Sequence, residues 1–378
     1  MRCGIDASNL ISGGGSNHIR NVLRNWSSDH SDIDSLVVWA SKELCATLPK
    51  HKGINLITVP EINTTSSNRF LWQINKLPRI AENECDVFFA PGGIAGRHTV
   101  PLISMCRNML PFTLKESFRY GISYMLLRLM YIRILQSRTF SNSSGIIFLC
   151  QYALDRVINQ IGDAQCKMAL IPHGVEYRFF GESRSQLNKE SFDIDNPFRL
   201  LYVSIVDVYK HQWNVVEAVA KLRREDVPIV LDIVGPAYDP AMRRLEAALN
   251  EFDPDRVLVN YLGNIPHDDL HHVLSDADGF VFASTCENFP NTLLEAMASG
   301  LPVASSNFRP MTDILGKDAF YFDPINIQSI ADSIKQMLGD HHRRHQISQS
   351  VKSSASRYTW EKCAMKTFKF IGDVKRSN

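Results

Sequence analysis

Short apolar runs alternate with amphipathic stretches along this chain, and the alternation predicts buried strands separated by helices. Runs of about five residues rich in Val, Ile, Leu and Phe are typical of parallel strands covered on both faces. In the first half the predicted strands are 2–6, 35–40, 56–60, 86–90, 101–105 and 145–149. In the second half they are 198–203, 230–234, 257–262, 279–283 and 302–304. This order is that of a doubly wound α/β domain, and it occurs twice.

Two domains are therefore expected. The 378 residues are enough for two domains of ordinary size, each with its own core. A polar passage at 176–197 predicts a linker between an N-terminal domain, 1–175, and a C-terminal domain, 198–355. An amphipathic helix is predicted for the last segment, 356–378.

The most informative stretch runs from residue 286 to residue 303, between two predicted strands. Pro290 suits the first position of a helix, where its missing N–H is not needed, and Gly300 suits the left-handed residue after the last turn. The N-terminus of this helix would lie at the carboxyl end of a parallel strand. Open α/β sheets bind ligands there, because free N–H groups and the positive end of the helix dipole favour anions.

Two glutamates belong to the same stretch, Glu287 before the helix and Glu295 inside it. A carboxylate beside a phosphate-binding helix N-terminus is electrostatically unfavourable unless it binds another group, such as a sugar hydroxyl. We therefore predict a site for a ligand that carries both anionic and hydroxyl groups. The alternative is an amphipathic helix with two solvated glutamates.

These two glutamates, followed by Ala-Met-Ala-x-Gly-x-Pro-Val at 296–303, resemble the signature of family 4 of the retaining glycosyltransferases. The resemblance implies the GT-B fold, in which two Rossmann-like domains face an interdomain cleft and the last helix crosses back to the N-terminal domain. It also implies that Glu287 lies beside the transferred sugar of a nucleoside-diphosphate sugar, and that Glu295 binds the ribose hydroxyls. The neighbouring positions implied to bind the donor, mainly through diphosphate contacts, are Asn288, Phe289, Asn291 and Thr292.

Further donor-binding positions follow from the same resemblance. Gly14 and Gly15 match the family's glycine loop after the first strand, and Lys210 matches the lysine that binds the donor diphosphate. Ser204 stands where the family has an arginine, and the segment around Ile265 corresponds to the wall of the pocket for the base.

Arg107 is the third residue assigned to catalysis, with Glu287 and Lys210. Many relatives have a His-Asp pair near the donor sugar where this chain has Arg107-Asn108. An arginine at the carboxyl edge of a strand suits phosphate or an anionic acceptor, and the alternative is a structural salt bridge. His173, in a segment that resembles the family's Ile-Pro-Asn-Gly-Val motif, is interpreted as structural.

Composition excludes several other classes of protein. The net charge of +1 argues against bulk nucleic-acid binding. The eight cysteines contain no Cys-x2-Cys pair, which predicts reduced thiols and neither a disulfide framework nor a zinc site. No Asp-x-Asp motif lies in a loop at the end of a strand, so no metal ion is expected. No cofactor is expected either, because the implied nucleoside-diphosphate sugar is a substrate. Without a signal peptide or a run of about 18 apolar residues, the protein is expected in the cytoplasm or at the inner face of the membrane.

Membrane contact is suggested by the distribution of charge. Residues 1–175 carry a net charge of +6 and the remainder −5. One long apolar helix is predicted at 115–140, and its charges are mostly the arginines at 119, 128, 133 and 138. This helix is either a core helix with snorkelling arginines or an interfacial helix resting on anionic lipid.

Taken together, these patterns and the family resemblance imply a metal-independent, retaining hexosyltransferase-type enzyme of polysaccharide biosynthesis. Its partners would be a nucleotide-sugar donor and a glycan or glycolipid acceptor, with no nucleic acid. A nucleotide-sugar epimerase on the same fold and a non-catalytic nucleotide-sugar-binding protein are the alternatives. The non-catalytic alternative is favoured by Ser204, Asn288 and Pro290, which differ from the residues that the family usually has at these positions.

Overall fold

The structure is a computed structural model that describes residues 1–10, 13–28, 32–162, 165–181 and 185–377. The strands are β1 Arg2–Ala7, β2 Ser35–Ala40, β3 Ile54–Ile57, β4 Val87–Ala90, β5 Leu102–Cys106, β6 Gly145–Phe148, β7 Lys167–Leu170, β8 Phe198–Val203, β9 Ile229–Val234, β10 Val259–Gly263, β11 Gly279–Phe282, β12 Val303–Ser306 and β13 Phe320–Phe322. The α-helices are α1 Gly14–Arg24, α2 Lys42–Thr47, α3 Ser66–Leu71, α4 Leu77–Glu84, α5 Leu114–Ser117, α6 Tyr124–Ser141, α7 Gln151–Ile161, α8 Gln212–Arg224, α9 Asp239–Phe252, α10 Leu270–Asp276, α11 Asn291–Ala298, α12 Met311–Leu315, α13 Ile327–Gly339, α14 His341–Ala355 and α15 Trp360–Arg376.

The chain divides into two compact units. Unit 1 comprises residues 1–117, 122–174 and 358–378, and unit 2 comprises residues 118–121 and 175–357. The segment predicted to be a linker, 176–197, groups with unit 2, and helix α15 groups with unit 1.

Unit 1 is built on a parallel sheet with the strand order β3-β2-β1-β4-β5-β6-β7. Its central strands are buried, and side chains such as Trp39 and Phe88 fill the core. The strand order reverses between β1 and β4, so the carboxyl ends of these two strands flank the topological switch point. The loop that leads to Gly14 and Gly15 follows β1 at this edge.

Unit 2 has a second parallel sheet, in the order β10-β9-β8-β11-β12-β13. Its switch point lies between β8 and β11. Both strands are apolar and almost fully buried, as their continuous hydrophobic sequences predict. The two doubly wound sheets confirm the predicted fold class.

Most strand predictions agree with the structure to within two residues at either end. The bounds of β2 and β8 are as predicted. The strand predicted at 56–60 lies at Ile54–Ile57 instead. Pro60 begins a 3-10 turn, because a residue without an N–H is poorly suited to a ladder and well suited to the start of a turn.

The single helix predicted for residues 115–140 is wrong. The chain forms α5, then a 3-10 turn at Phe118–Tyr120, and only then α6. Gly121 has a φ of +62°, which no helix interior adopts, and the Ser123 side chain caps α6 by accepting from the Leu126 amide at 3.3 Å. Arg119 therefore does not lie on the helix that carries the other three arginines.

Two predictions made from composition can be compared with the structure. All eight cysteines are free thiols, as predicted. Within the described ranges, no helix combines the length and the apolar character needed to cross a membrane.

Candidate active site

Helix α11 starts at the carboxyl edge of the second sheet, directly after the loop that follows β11. Pro290 is the residue before its first position, Asn291, and not the first position itself as predicted. Gly300, with a φ of +75°, ends the helix as expected. The Leu301 amide donates to the Ala296 carbonyl at 3.1 Å and the Gly300 amide to the Met297 carbonyl at 3.0 Å, the bonds of a Schellman motif.

Lys210 and Glu287, predicted as catalytic from separate motifs, form an ion pair between Nζ and Oε1. Lys210 lies in the loop after β8 and Glu287 in the loop after β11, so the pair occupies the switch point of this sheet. Only 7% of the Lys210 side chain and 12% of the Glu287 side chain are exposed. The ammonium also lies 4.8 Å from the centre of the Phe282 ring and 5.1 Å from that of Tyr209, so two aromatic faces help to offset its desolvation.

Hydrogen bonds hold the two loops together. The Thr285 amide donates to the Tyr209 carbonyl at 2.9 Å. The Tyr202 hydroxyl donates to the Lys210 carbonyl at 2.5 Å and accepts from the Ala283 amide at 3.2 Å. A buried tyrosine on β8 thus fixes both loops, and with them the positions of the paired side chains.

His211 ends the β8 loop in an unusual conformation. Its φ of +53° is left-handed, and its Nε2 lies 3.2 Å from Thr285 Oγ1. Burial, and then the charges of Arg119 and Arg244, lower the pKa of His211 to about 3. The imidazole is therefore neutral at pH 7, and it adds a structural contact without adding charge.

Glu295 is buried on α11 and has a partner that the sequence did not indicate. His267 Nε2 lies 2.8 Å from Glu295 Oε1. The other carboxylate oxygen, Oε2, is buried without a hydrogen-bond partner in the described part of the chain. A buried acceptor with no donor is costly, so this atom is a candidate acceptor for a ligand hydroxyl.

His267 is held by a network of charged side chains. Arg178 Nη2 lies 2.8 Å from its Nδ1, and Arg178 also pairs with Glu176 and Asp268. Because a guanidinium only donates, Nδ1 accepts and Nε2–H donates to Glu295. Burial lowers the pKa of His267, but the carboxylates of Glu295 and Glu176 raise it by more. The net shift is therefore upward. His267 follows Pro266 in the loop after β10. Its position at the carboxyl edge of a strand was the one signal in the sequence that could have identified it as part of the site.

The other predicted donor-binding residues of unit 2 lie on the same sheet edge. Ser204 directly follows β8 and is buried, and its hydroxyl donates to the Ile205 carbonyl at 3.0 Å. Ile265 is half-buried in the loop between β10 and α10. Around the start of α11, Asn288 and Phe289 are buried, and Asn291 and Thr292 are half-buried.

In unit 1 the structure brings the predicted residues Arg107 and Gly15 together. A Cβ placed on Gly15 would lie 3.1 Å from Arg107 Nη1, so glycine allows the guanidinium to approach the first turn of α1. Burial lowers the pKa of Arg107 to about 10, and the side chain stays positively charged at pH 7. Gly14 is the first residue of α1.

His18 and His173 form a buried pair near Arg107. Their ring centres are 4.9 Å apart. Burial, and then His173 and Arg107, lower the pKa of His18 well below its usual value. The Trp360 ring lies 5.6 Å from His173, which agrees with the structural interpretation of that histidine. In the described ranges, no three His, Cys, Asp or Glu side chains are grouped so that they could hold a metal ion.

Two family descriptions match this chain. "Glycosyltransferase Family 4" matches residues 12–179, and "Glycosyl transferases group 1" matches residues 184–354. The chain belongs to the group 1 and family 4 glycosyltransferases. The matches include the glycine loop of unit 1 and the paired side chains of unit 2, so the predicted family is confirmed.

Curated relatives of this glycosyltransferase include bacterial and plant proteins. It is 32% identical to O-antigen chain mannosyltransferase B of Escherichia coli over 109 residues, which are 29% of each chain. It is 22% identical to the serotype-specific mannosyltransferase WbdA of E. coli over 272 residues, 69% of this chain and 32% of the relative. It is 28% identical to the sulfoquinovosyl transferase SQD2 of Arabidopsis thaliana over 28% of this chain and 22% of the relative. The chain thus spans about a third or less of the length of these relatives.

Solved structures resemble this glycosyltransferase over its whole length. Sucrose-phosphate synthase from Thermosynechococcus elongatus has a TM-score of 0.77 at 16% identity, covering 100% of this chain and 98% of that one. Anabaena Alr3699/HepE in complex with UDP-glucose has a TM-score of 0.73 at 17% identity, covering 100% of both chains. These likenesses establish the GT-B fold.

Proposed function

We propose that this protein transfers a hexose from a nucleoside-diphosphate sugar to a hydroxyl of a glycan or lipid-linked glycan, with retention of the anomeric configuration and without a metal ion. The observation that carries the proposal is the buried Lys210–Glu287 ion pair at the switch point of unit 2, with Glu295 on the adjoining helix. A lysine, a helix N-terminus and two carboxylates on one sheet edge suit a ligand with a diphosphate and several hydroxyls.

Each group has a chemical task in this proposal. Lys210 exchanges its carboxylate partner for the donor diphosphate and stabilises the negative charge that develops as the sugar leaves. Glu287, released from Lys210, lies beside the sugar. The bond between the anomeric carbon and the phosphate oxygen breaks, and the acceptor oxygen bonds to the same face of that carbon. The acceptor proton passes to the departing phosphate oxygen, so no covalent enzyme intermediate is required.

The nucleoside is bound by Glu295. Its Oε1 is oriented by His267 at 2.8 Å, which leaves the buried Oε2 to accept from a ribose hydroxyl. Binding would then satisfy an acceptor that has no partner in the described part of the chain. A hexosyl donor is supported by the E. coli mannosyltransferases among the relatives and by the UDP-glucose complex of the Anabaena protein.

The decisive test offers purified protein a panel of nucleoside-diphosphate hexoses with and without polysaccharide or lipid-linked acceptors. We expect release of nucleoside diphosphate that depends on acceptor, and a product whose anomeric configuration equals that of the donor by NMR. Glu287→Gln should abolish transfer while the nucleoside diphosphate still binds. Formation of an isomeric nucleotide sugar without acceptor would instead identify an epimerase, and binding without turnover would identify a binding protein.

A membrane-bound acceptor is supported by the exposed surface of α6. We call this surface the α6 face, and it consists of Tyr124, Leu127, Arg128, Tyr131, Ile134 and Arg138. At 100° per residue these six positions fall within an arc of about 120°. Leu127 is 69% exposed and Ile134 50%. Exposed aliphatic and aromatic side chains interspersed with two arginines suit the headgroup region of an anionic bilayer, and we propose that the enzyme works at the cytoplasmic face of a membrane.

Vesicle sedimentation tests the α6 face. We expect the protein to sediment with anionic but not neutral vesicles, and the double variant Leu127→Ser/Ile134→Ser to remain in the supernatant. The matched control is Val257→Ser/Ile325→Ser, which removes two comparably exposed aliphatic side chains from unit 2. Wild-type protein that stays in the supernatant with anionic vesicles at low salt would refute membrane docking and leave the transfer proposal intact.

A further inference from the structure

A short segment of sequence far from the donor motifs packs in unit 2. Residues 118–121 group with unit 2, although the residues on both sides of them group with unit 1. The Tyr120 hydroxyl donates to Asp207 Oδ1 at 2.9 Å, and the Tyr120 ring lies 5.6 Å from that of Tyr238. Tyr120 is thus fixed by a hydrogen bond and by a ring contact.

Asp207 starts the turn that presents Lys210. Its Oδ1 accepts from the Val208 amide at 2.7 Å, and its carbonyl accepts from the Lys210 amide at 3.0 Å. The residue is 8% exposed. A buried carboxylate needs donors, and the donors to Oδ1 are the Val208 amide and the hydroxyl of Tyr120.

The end of the same turn is held by other elements. The Lys210 carbonyl accepts from Tyr202 on β8 at 2.5 Å, and the Tyr209 carbonyl accepts from the Thr285 amide at 2.9 Å. The start of the turn is held through Asp207. Because the Lys210 amide bonds to the Asp207 carbonyl at 3.0 Å, an unrestrained Asp207 would let the backbone of Lys210 shift.

We propose that Tyr120 is a positioning residue, which acts through the Asp207 turn to hold Lys210 where it binds the diphosphate of the donor. This inference rests on the proposed function and adds to it a residue that belongs to no donor-binding motif. Tyr120 does not touch the substrate in this proposal, and its contribution is the geometry of the lysine.

Tyr120→Phe removes the hydroxyl and keeps the ring against Tyr238. A hydrogen bond to a charged group corresponds to roughly a 10- to 100-fold change in an equilibrium constant. Because part of this loss falls on folding, we expect nucleoside-diphosphate affinity to fall about three- to tenfold in the variant. The matched control is Tyr177→Phe, which alters a tyrosine of the same unit that is 90% exposed.

The pH dependence of binding separates positioning from a general loss of structure. Burial raises the pKa of Asp207, and the bonds from Val208 and Tyr120 and the charge of Lys210 oppose that rise. The Tyr209 hydroxyl also interacts electrostatically with the Asp207 carboxylate. Without the Tyr120 hydroxyl, Asp207 takes up its proton at higher pH. The acid limb of diphosphate binding, meaning the loss of affinity as the pH falls, should therefore begin at a higher pH in Tyr120→Phe.

The experiment is calorimetric titration of the full chain with ADP, CDP, GDP, UDP and dTDP, repeated from about pH 4 to pH 8 with the nucleotide that binds best. Weaker binding and a shifted acid limb in Tyr120→Phe, with Tyr177→Phe equal to wild type, support the inference. A second variant, Asp207→Asn, should lose the part of the acid limb that Asp207 causes. Equal affinity of Tyr120→Phe and wild type at every pH overturns the inference alone, whereas a wild type that binds none of the five overturns the proposed function as well.

Discussion

The ion pair between Lys210 and Glu287 allows a test in which two single changes have different effects on nucleotide binding. Lys210→Met keeps the stem against Tyr209 and Phe282 but removes the charge, and Glu287→Gln keeps the shape but removes the competitor for the ammonium. If the lysine must leave the carboxylate to bind a diphosphate, the first change weakens binding and the second leaves it unchanged or strengthens it. Both changes should abolish or sharply reduce transfer.

The expected magnitudes follow from burial. Removing one partner of a buried ion pair costs about 3–5 kcal/mol, and the 12% exposure of the Glu287 side chain places Lys210→Met near the lower end. A loss of about 3 kcal/mol corresponds to a fall in melting temperature of roughly 6–12 °C for a domain of this size. For diphosphate binding, one charged hydrogen bond represents about 1.5–3 kcal/mol, or roughly a 10- to 100-fold loss of affinity.

Denaturant unfolding and calorimetry measure both quantities. The double variant Lys210→Met/Glu287→Gln should be less destabilised than the sum of the single variants, because each single change strands a buried charge. The control is Lys335→Met, which breaks an exposed ion pair with Glu225. The two side chains are 53% and 40% exposed, so this change should lower the free energy of unfolding by less than about 1 kcal/mol. Additive single changes, or equal weakening of diphosphate binding by both, would refute the reasoning.

Three further outcomes are expected. Glu295→Gln should weaken nucleotide binding by about 1–3 kcal/mol, and calorimetry showing unchanged affinity would contradict its role. His211 has a pKa of about 3 when folded and about 6.5 when unfolded, so its contribution to stability is complete above pH 6.5 and is lost as the pH falls towards 3. His211→Asn should therefore lose about 1.4 kcal/mol less than wild type between pH 7.5 and pH 5.5 in urea unfolding, and parallel curves would exclude this. Gly174→Ala should destabilise the protein by about 1–3 kcal/mol, because its Cβ would lie 2.2 Å from the Trp360 amide nitrogen. Gly181→Ala, whose Cβ would meet no atom of the described residues beyond its chain neighbours within 4 Å, should melt as wild type does.

The sequence predicted those parts of the site that depend on short segments of chain. Apolar runs and helix ends place Glu287, Glu295 and Lys210 after particular strands, because a parallel sheet collects the carboxyl ends of its strands at one edge. The alternation of strands and helices likewise predicted both doubly wound sheets. The same patterns missed one helix boundary. The break at Gly121 and Ser123 lies within an apolar stretch, and that composition favoured one continuous helix.

Pairing, burial and long-range contact were decided only by the tertiary structure. Periodicity does not show that Lys210 bonds to Glu287, that His267 orients Glu295, or that Tyr120 reaches Asp207 across 87 positions. A side chain at a strand's carboxyl edge has many candidate neighbours in sequence, and the chosen one depends on strand order and on which loops pack together. The sequence by itself determined the sheet edge at which this glycosyltransferase carries its charged groups. Only folding decided which of those groups meet, because desolvation makes an unpaired buried charge too costly to leave without a partner.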